Sequence, residues 1–331
     1  MSLTRRALLS SLSATALSLT ATACSSSSDG SGGSGGRTKV RFGYIADFNG
    51  SSLLAIADDQ DLWKQAGLAP SIKVFTNGPI QIQALGAGDL DYGYIGPGAM
   101  WLPATGKAKV IAIDTLTDAD RVIAQPEITS VAALKGKKIG VPEGTSGEMI
   151  LELALKTAGL TDSDVKKVPM DPSTLVAAFS SGQIDAAGFY YPLIDTIRKR
   201  VPKLVELAAD HDFPDHAFPT AFVSAPKADP ATTRKVVGVL ARANDWRAAH
   251  KEQAISLAAR MLQVTEEQTR ADAAHVRLLT TADLVAKTKD GTVDGWLDGL
   301  ADFFVGTGQV TSKPAVSAYY DGAAFTRAAG R

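Results

Sequence analysis

Two stretches of the chain repeat one pattern of helix, glycine, aspartate, strand and proline. Residues 84–97 read ALGAGDLDYGYIGP, and residues 178–192 read AFSSGQIDAAGFYYP. In each copy we expect the glycine to cap a helix in the left-handed conformation, the aliphatic residue to enter a core, and the aspartate to accept backbone N–H bonds in the turn. These positions are Gly88, Leu90 and Asp91 in the first copy and Gly182, Ile184 and Asp185 in the second. The repeat indicates two regions built alike.

Strands and helices alternate through the first two-thirds of the chain. Runs typical of strands are separated by helical periodicity, and the pattern restarts after Pro126. Such alternation predicts parallel sheets and an α/β fold. The expected strands are 40–45, 72–75, 91–95, 110–116, 138–141, 165–168, 186–190, 204–207 and 220–225, with helices between them, the first of these at 52–66. From Pro230 onward we expect almost only helix.

The N-terminus has the features of an export signal. Arg5 and Arg6 precede an apolar run of roughly 14 residues, too short for a membrane-spanning helix but long enough for a signal peptide. Small residues then lead to Cys24, the one cysteine in the chain. We therefore predict a signal peptide over 1–23, with either Sec or Tat export, and lipidation of Cys24. A Ser/Gly tether completes the segment 24–36.

Composition restricts the partners. Lys plus Arg number 34 and Asp plus Glu 35, so no basic surplus suggests nucleic acid. No apolar run long enough to cross a membrane follows the signal. We expect a monomer that is held at the membrane only by its lipid, with no cofactor.

Several motifs together resemble the nitrate/sulfonate/taurine-type solute-binding family, which also includes binders of pyrimidine precursors. They are the two repeats, SVAALKGKKIG at 130–140, and Gly159-Leu160-Thr161 followed by Asp164-Val165. The resemblance implies a periplasmic-binding-protein-like α/β fold, in which two lobes joined by a two-strand hinge hold ligand in a cleft. The implied division is lobe one over 37–121, lobe two over 122–222, and over 223–331 the return to lobe one and the C-terminal helices.

Three loops at strand ends are candidate ligand contacts, because ligands of open α/β sheets bind beyond the carboxyl ends of the strands. The first offers aromatic, amide and hydroxyl groups, the second lets backbone approach a ligand, and the third starts a helix whose N-terminus suits an anion. The same residue types are also ordinary helix caps. Two tyrosines at a further strand end could stack on a ligand. The predicted ligand-binding residues are Phe48, Asn49, Ser51, Gly96, Pro97, Gly144, Thr145, Ser146, Tyr190 and Tyr191.

The resemblance implies that the chain binds a small solute for the permease and ATPase of an ABC importer and is not an enzyme. We expect a small organic anion such as an alkanesulfonate or taurine. A pyrimidine precursor, an aromatic carboxylate, a sensor role and a pyrimidine-synthesis enzyme of the same fold remain alternatives. Arg121 is a candidate anion clamp. His211 and His216 suggest a metal site only weakly, and none is predicted.

Overall fold

The computed structural model describes residues 36–330, so the predicted signal peptide, Cys24 and most of the tether lie outside the described residues. Two sheets organise the described part of the chain. The strands in chain order are β1 (Thr38–Ile45), β2 (Leu68–Phe75), β3 (Tyr92–Ile95), β4 (Lys109–Thr117), β5 (Asp120–Ala124), β6 (Lys138–Val141), β7 (Lys166–Pro169), β8 (Ala186–Tyr190), β9 (Val205–Ala209), β10 (Pro219–Ser224) and β11 (Val276–Leu278).

Helices pack around both sheets. They are α1 (Phe48–Asp59), α2 (Leu62–Gln65), α3 (Gly78–Ala87), α4 (Trp101–Ala104), α5 (Ser146–Thr157), α6 (Pro172–Ser180), α7 (Leu193–Arg198), α8 (Pro230–Ala249), α9 (Lys251–Leu262), α10 (Glu266–Ala273), α11 (Thr281–Lys289), α12 (Thr292–Gly306) and α13 (Gly322–Ala329). Within the described residues, no helix is both long enough and apolar enough to span a bilayer.

Each sheet is mixed and contains a strand, beside a chain crossing, that runs antiparallel to both of its neighbours. The first sheet has the order β11-β4-β10-β3-β1-β2, and the second has the order β7-β6-β8-β5-β9. In the first sheet β10 runs antiparallel to both of its neighbours, and in the second sheet β5 does the same. The predicted α/β class with two lobes is confirmed.

The chain passes between the sheets twice. The first passage lies between Thr117, which ends β4, and Asp120, which begins β5. The second lies between Ala209, which ends β9, and Pro219, which begins β10. The lobe boundaries that we predicted, between residues 121 and 122 and between residues 222 and 223, stay a prediction.

The two sequence repeats have the same geometry. Gly88 and Gly182 both adopt positive φ, at 78° and 72°. Asp91 accepts a hydrogen bond from the backbone N–H of Arg41 at 2.8 Å, and Asp185 accepts one from Lys138 at 2.7 Å. The expected cap is therefore confirmed, but the expected donor was wrong. The N–H belongs to the neighbouring parallel strand, to Arg41 within β1 and to Lys138 at the start of β6.

Helix α1 begins four residues earlier than the predicted 52, because Asp47 caps it. The Asp47 carboxylate accepts the N–H of Gly50 at 2.6 Å. The helix also ends early, since Asp61 takes a left-handed conformation and starts a separate turn. Two strands were missing from those predicted from the sequence: β5 and β11. The last is a short edge strand inside the region expected to be almost only helical.

A buried ion pair fastens α1 and α8 to the first sheet. The Arg247 guanidinium lies 2.6 Å from Asp114 on β4 and 2.9 Å from the Ser52 hydroxyl on α1, and both charged side chains are fully buried. Removal of either partner would leave an uncompensated buried charge, which typically costs about 3–5 kcal/mol. The first turn of α1 is thereby held in a fixed position against the sheet.

Candidate ligand-binding cavity

The ends of strands from both sheets converge on one cavity. It lies beyond the carboxyl ends of β1, β3 and β8 and beside the two chain passages. The volume of the cavity, including its open mouth, is about 550 Å³. Such a position is where open α/β sheets bind ligands.

Seven of the ten predicted ligand-binding residues line this cavity. They come from three strand ends and from the start of α5, so residues from both sheets face one space. The seven are Asn49, Gly96, Pro97, Thr145, Ser146, Tyr190 and Tyr191. Contact with a ligand stays a prediction for each of them.

The other three predicted residues do not line the cavity. Phe48, the first residue of α1, is fully buried and packs with Ile255 and Ala258 of α9. Ser51 is also fully buried and donates its hydroxyl to the Asp47 carbonyl at 2.6 Å. Gly144 has a φ of +69° and donates its N–H to Glu148 at 2.8 Å. Local structure therefore uses the groups that the sequence offered to a ligand.

Asn49 is fixed by a hydroxyl network that joins α1 to the first sheet. The Thr115 hydroxyl donates to the Asn49 Oδ1 at 3.0 Å and lies 2.9 Å from the Thr220 hydroxyl. Asn49 and Thr220 both line the cavity, and Thr115 is fully buried behind them. The network orients the Asn49 amide before any ligand arrives, which reduces the entropy lost on binding.

Three carboxyl groups in the cavity wall were not among our predicted ligand-binding residues. Asp47 follows β1, Asp120 begins β5, and Asp272 lies on α10, more than two hundred residues from Asp47. Asp272 also accepts the backbone N–H of Phe48 at 2.6 Å, at the start of α1. No Lys, Arg or His is among the described residues that line the cavity.

Burial raises the pKa of these carboxyl groups. Desolvation is the largest cause for all three, and it raises the pKa of Asp120 and of Asp272 to about 7. The pKa of Asp47 also lies well above its ordinary value, because desolvation adds to the nearby charge of Asp272. The wall therefore holds protons near neutral pH and can exchange them for a bound cation or hydrogen-bond donor.

Arg121 does not line the cavity, although its position suggested an anion clamp. Its Nε lies 2.9 Å from Glu206, and its Nη1 donates to the Asp120 carbonyl at 2.7 Å. The guanidinium also faces the ring of Tyr191 at 5.6 Å. These contacts hold the guanidinium beside the chain passage, so the clamp prediction was wrong.

Tyr191 connects the second sheet to the first. Its ring stacks on His275 with a centroid separation of 3.9 Å and an interplanar angle of 17°. Its hydroxyl donates to Glu206 at 2.6 Å. His275 lies between α10 and β11, and we predicted no role for it from the sequence. The stack fixes one wall of the cavity across the two sheets.

The two lobes touch at a glycine beside the cavity. A Cβ atom on Gly98 would lie 2.2 Å from the backbone N of Ser146 and 2.2 Å from the carbonyl carbon of Thr145. The Trp101 indole N–H also points to the Gly144 carbonyl at 3.4 Å. The helix turn after β3 therefore packs backbone to backbone on the loop before α5.

The two histidines of the 210–218 loop have separate surroundings. The Nδ1 of His211 lies 2.9 Å from Asp118, and the ring of His216 packs edge-on against Phe303. Among the described residues, no group of three or more His, Cys, Asp or Glu side chains could hold a metal ion.

Comparisons with known proteins agree with this architecture. The profile of the NMT1/THI5-like family matches residues 50–254, and a Brucella abortus protein named only as a binding protein is 52% identical over 87% of this chain and 91% of its own length. The chain belongs to the NMT1/THI5-like family. The taurine-binding periplasmic protein of Escherichia coli is 25% identical over 43% of this chain and 45% of its own length.

A solved structure shows the same fold. The periplasmic aliphatic sulphonate-binding protein of Escherichia coli superimposes with a TM-score of 0.68 at 21% identity, covering 89% of this chain and 99% of that one. The predicted periplasmic-binding-protein-like fold and the predicted solute-binding family are both confirmed. The cavity is therefore that of an NMT1/THI5-like protein with this fold.

Proposed function

We propose that this protein captures a small organic solute in the cavity between its lobes and delivers it to the permease and ATPase of an ABC importer. The observation that carries the proposal is the convergence of polar residues from both lobes on one cavity beyond the strand ends. Relatives named as periplasmic binding proteins for taurine and aliphatic sulfonates support it.

The proposed location follows from the N-terminus. A signal peptide over 1–23 exports the chain, an acylated Cys24 holds it at the membrane, and the Ser/Gly tether lets it reach a permease. The protein then acts as a monomer, without catalysis. A sensor for the same solute, or an enzyme on the same scaffold, is the alternative.

The names of relatives favour an alkanesulfonate or taurine, as the sequence did. The described cavity wall, however, contributes carboxyl groups and no cationic side chain. We therefore propose solute capture without restricting the ligand to anions.

The test combines extraction with a binding screen. Solutes that co-purify with the exported domain are released by denaturation and identified by mass spectrometry, and the refolded domain is screened by thermal shift against taurine, sulfonates, pyrimidines, aromatic acids and amines. A ligand at about 100 times its Kd stabilises the folded state by about 2.7 kcal/mol.

A cavity variant and a surface variant locate the site. Ser146→Ala should weaken binding of the solute about two- to tenfold, which is the usual effect of losing one hydrogen bond. Ser71→Ala, an exposed serine on β2, is the matched control and should leave affinity unchanged. If no solute co-purifies and nothing in the screen raises the melting temperature, the proposal fails.

A further inference from the structure

We infer that the solute is a small organic cation whose amine lies among Asp47, Asp120 and Asp272 and whose apolar body lies against the mouth of the cleft. The inference rests on the proposed function, because it assigns ligand chemistry to the same cavity.

The carboxyl groups come from both sides of the cleft. Asp120 belongs to the second sheet, whereas Asp47 and Asp272 stand beside the first. Closure of the lobes brings these groups together, and like charges at short range oppose that approach. A cation placed between them converts the repulsion into attraction and so favours the closed state.

Asp120 supplies the second observation. It is 1% exposed and lines the cavity, and its Oδ2 has no partner within the described residues apart from the neighbouring carboxyl of Asp210, with which the Asp120 side chain shares a hydrogen bond. Once the shared proton is lost, a buried carboxylate oxygen without a donor is costly, and an ammonium N–H is the donor that would satisfy it.

The surroundings of Asp120 add negative potential. Asp210 lies directly behind it, accepts its backbone N–H at 3.0 Å and is hydrogen-bonded to its side chain, and the Oδ1 of Asp210 has no other partner in the described structure. Arg121 offsets part of this charge, yet burial still keeps the pKa of Asp120 at about 7. Within the described part of the chain, the cavity wall has no positive group that an anionic ligand could meet.

The helix N-terminus that suggested an anion is already faced by a carboxyl group. Hydrogen bonding from Ser146, the first residue of α5, lowers the pKa of Asp120, and the Thr145 hydroxyl donates to the Pro142 carbonyl at 2.6 Å. Asp120 therefore occupies the role that the sequence assigned to a ligand sulfonate.

The mouth of the cleft is apolar. Val74 and Ile80 are 57% and 40% exposed there, although large aliphatic side chains are usually buried. Pro172 and Leu193 face them from the second lobe. This mouth shares Asp47, Tyr190 and Tyr191 with the inner cavity, so a single ligand can reach both. Polar groups inside and apolar walls outside select an amine on a hydrophobic body.

Matched probes test the charge. Phenethylamine, phenethyl alcohol and 2-phenylethanesulfonate share one body and differ in head group, while ethylamine and taurine carry an ammonium without that body. At pH 8 we expect phenethylamine to bind at least about tenfold more tightly than the alcohol, as a charge-assisted hydrogen bond implies. The sulfonate should bind most weakly of the three, as measured by thermal shift and calorimetry.

Variants test the two contacts separately. Asp120→Asn should weaken the binding of phenethylamine about tenfold and leave the affinity for phenethyl alcohol unchanged. The substitution of an exposed aspartate, Asp58→Asn, is its control. Val74→Ser should weaken the binding of phenethylamine but not that of ethylamine. Val264→Ser, at another exposed valine, is its control.

Two outcomes overturn the inference and remain distinguishable. If sulfonates bind as tightly as amines, or if Asp120→Asn leaves amine affinity unchanged, the ligand is not a cation although solute capture stands. If no amine binds, the inference also fails, and if no solute of any charge binds, the proposed function fails with it.

Discussion

Buried carboxyl groups dominate the chemistry at the scale of single residues. Asp120 and Asp210 are hydrogen-bonded to each other through their side chains, each has an oxygen without another partner in the described structure, and both are nearly inaccessible to solvent. Such groups are more costly to bury when ionised than when protonated. They therefore couple the stability of the ligand-free protein to pH.

The first prediction concerns Asp120 and the stability of the ligand-free protein. Its folded-state pKa is about 7, against an ordinary value of 3.8. Between these values the unfolded chain releases the proton while the folded chain keeps it, so the free energy of unfolding falls as pH rises from about 4 to about 7. The side chains facing Asp120 that also titrate or carry charge are Asp118, Asp210 and Arg121.

Asp120→Asn removes this ionisation and should raise the free energy of unfolding at pH 8 by about 1–3 kcal/mol, since each unit of pKa shift corresponds to about 1.4 kcal/mol. At pH 4 the variant and the parent should be alike. Urea unfolding at both pH values measures the effect, and a variant that is less stable at pH 8 would contradict it.

At the scale of elements, the two sequence repeats are working parts of the lobes. Each places an αL glycine at the end of a helix, a buried aliphatic residue, and an aspartate that accepts a backbone N–H from the neighbouring parallel strand, β1 or β6. The repeat therefore joins helix, turn and neighbouring strand in one arrangement, once in each sheet.

The second prediction tests this arrangement in the second lobe. Asp185→Ala removes the acceptor for the Lys138 backbone N–H and should lower the free energy of unfolding by about 1–2 kcal/mol. Gln183→Ala, an exposed residue two positions earlier, is the control and should change it by less than about 0.5 kcal/mol. Equal changes in the free energy of unfolding for the two variants would show that the hydrogen bond from Lys138 to Asp185 does not stabilise the lobe.

For the whole molecule, the important feature is the contact between the lobes beside the cavity. Gly98 packs on the backbone of Thr145 and Ser146, and Tyr191 stacks on His275 across the two sheets. Two chain passages connect the sheets within the described residues, so such contacts decide how tightly the cleft closes. Closure around ligand is the hinge motion common to two-lobed binding proteins.

The third prediction places a methyl group in that contact. Gly98→Ala puts a Cβ atom about 2.2 Å from the Ser146 backbone, so the closed state must shift. Overpacking typically costs about 1–3 kcal/mol, and we expect solute affinity to fall about tenfold.

The control for this change is Gly86→Ala on α3, where an added Cβ atom meets nothing within 4 Å. It should leave affinity unchanged. Calorimetry with the solute identified by extraction compares the two variants, and an unchanged affinity for Gly98→Ala would mean that closure does not bring these backbones together.

The sequence by itself indicated an α/β class and two regions built alike, because alternating periodicity and a repeated capping pattern are local properties, and the family resemblance implied the two-lobed fold. It also indicated most of the loops that line the cavity, since turns rich in Gly, Ser and Asn stand at strand ends. It misjudged Phe48, Ser51 and Gly144, whose groups serve local packing and capping instead.

Only the tertiary structure decided the electrostatics of the cavity. Asp47, Asp120 and Asp272 lie far apart along the chain and carry no local motif, yet folding brings them to one wall. The same folding pairs Arg121 with Glu206 and keeps it out of the cavity. The sign of a binding site depends on which charges meet in space and how well water is excluded, and neither is a property of neighbouring residues.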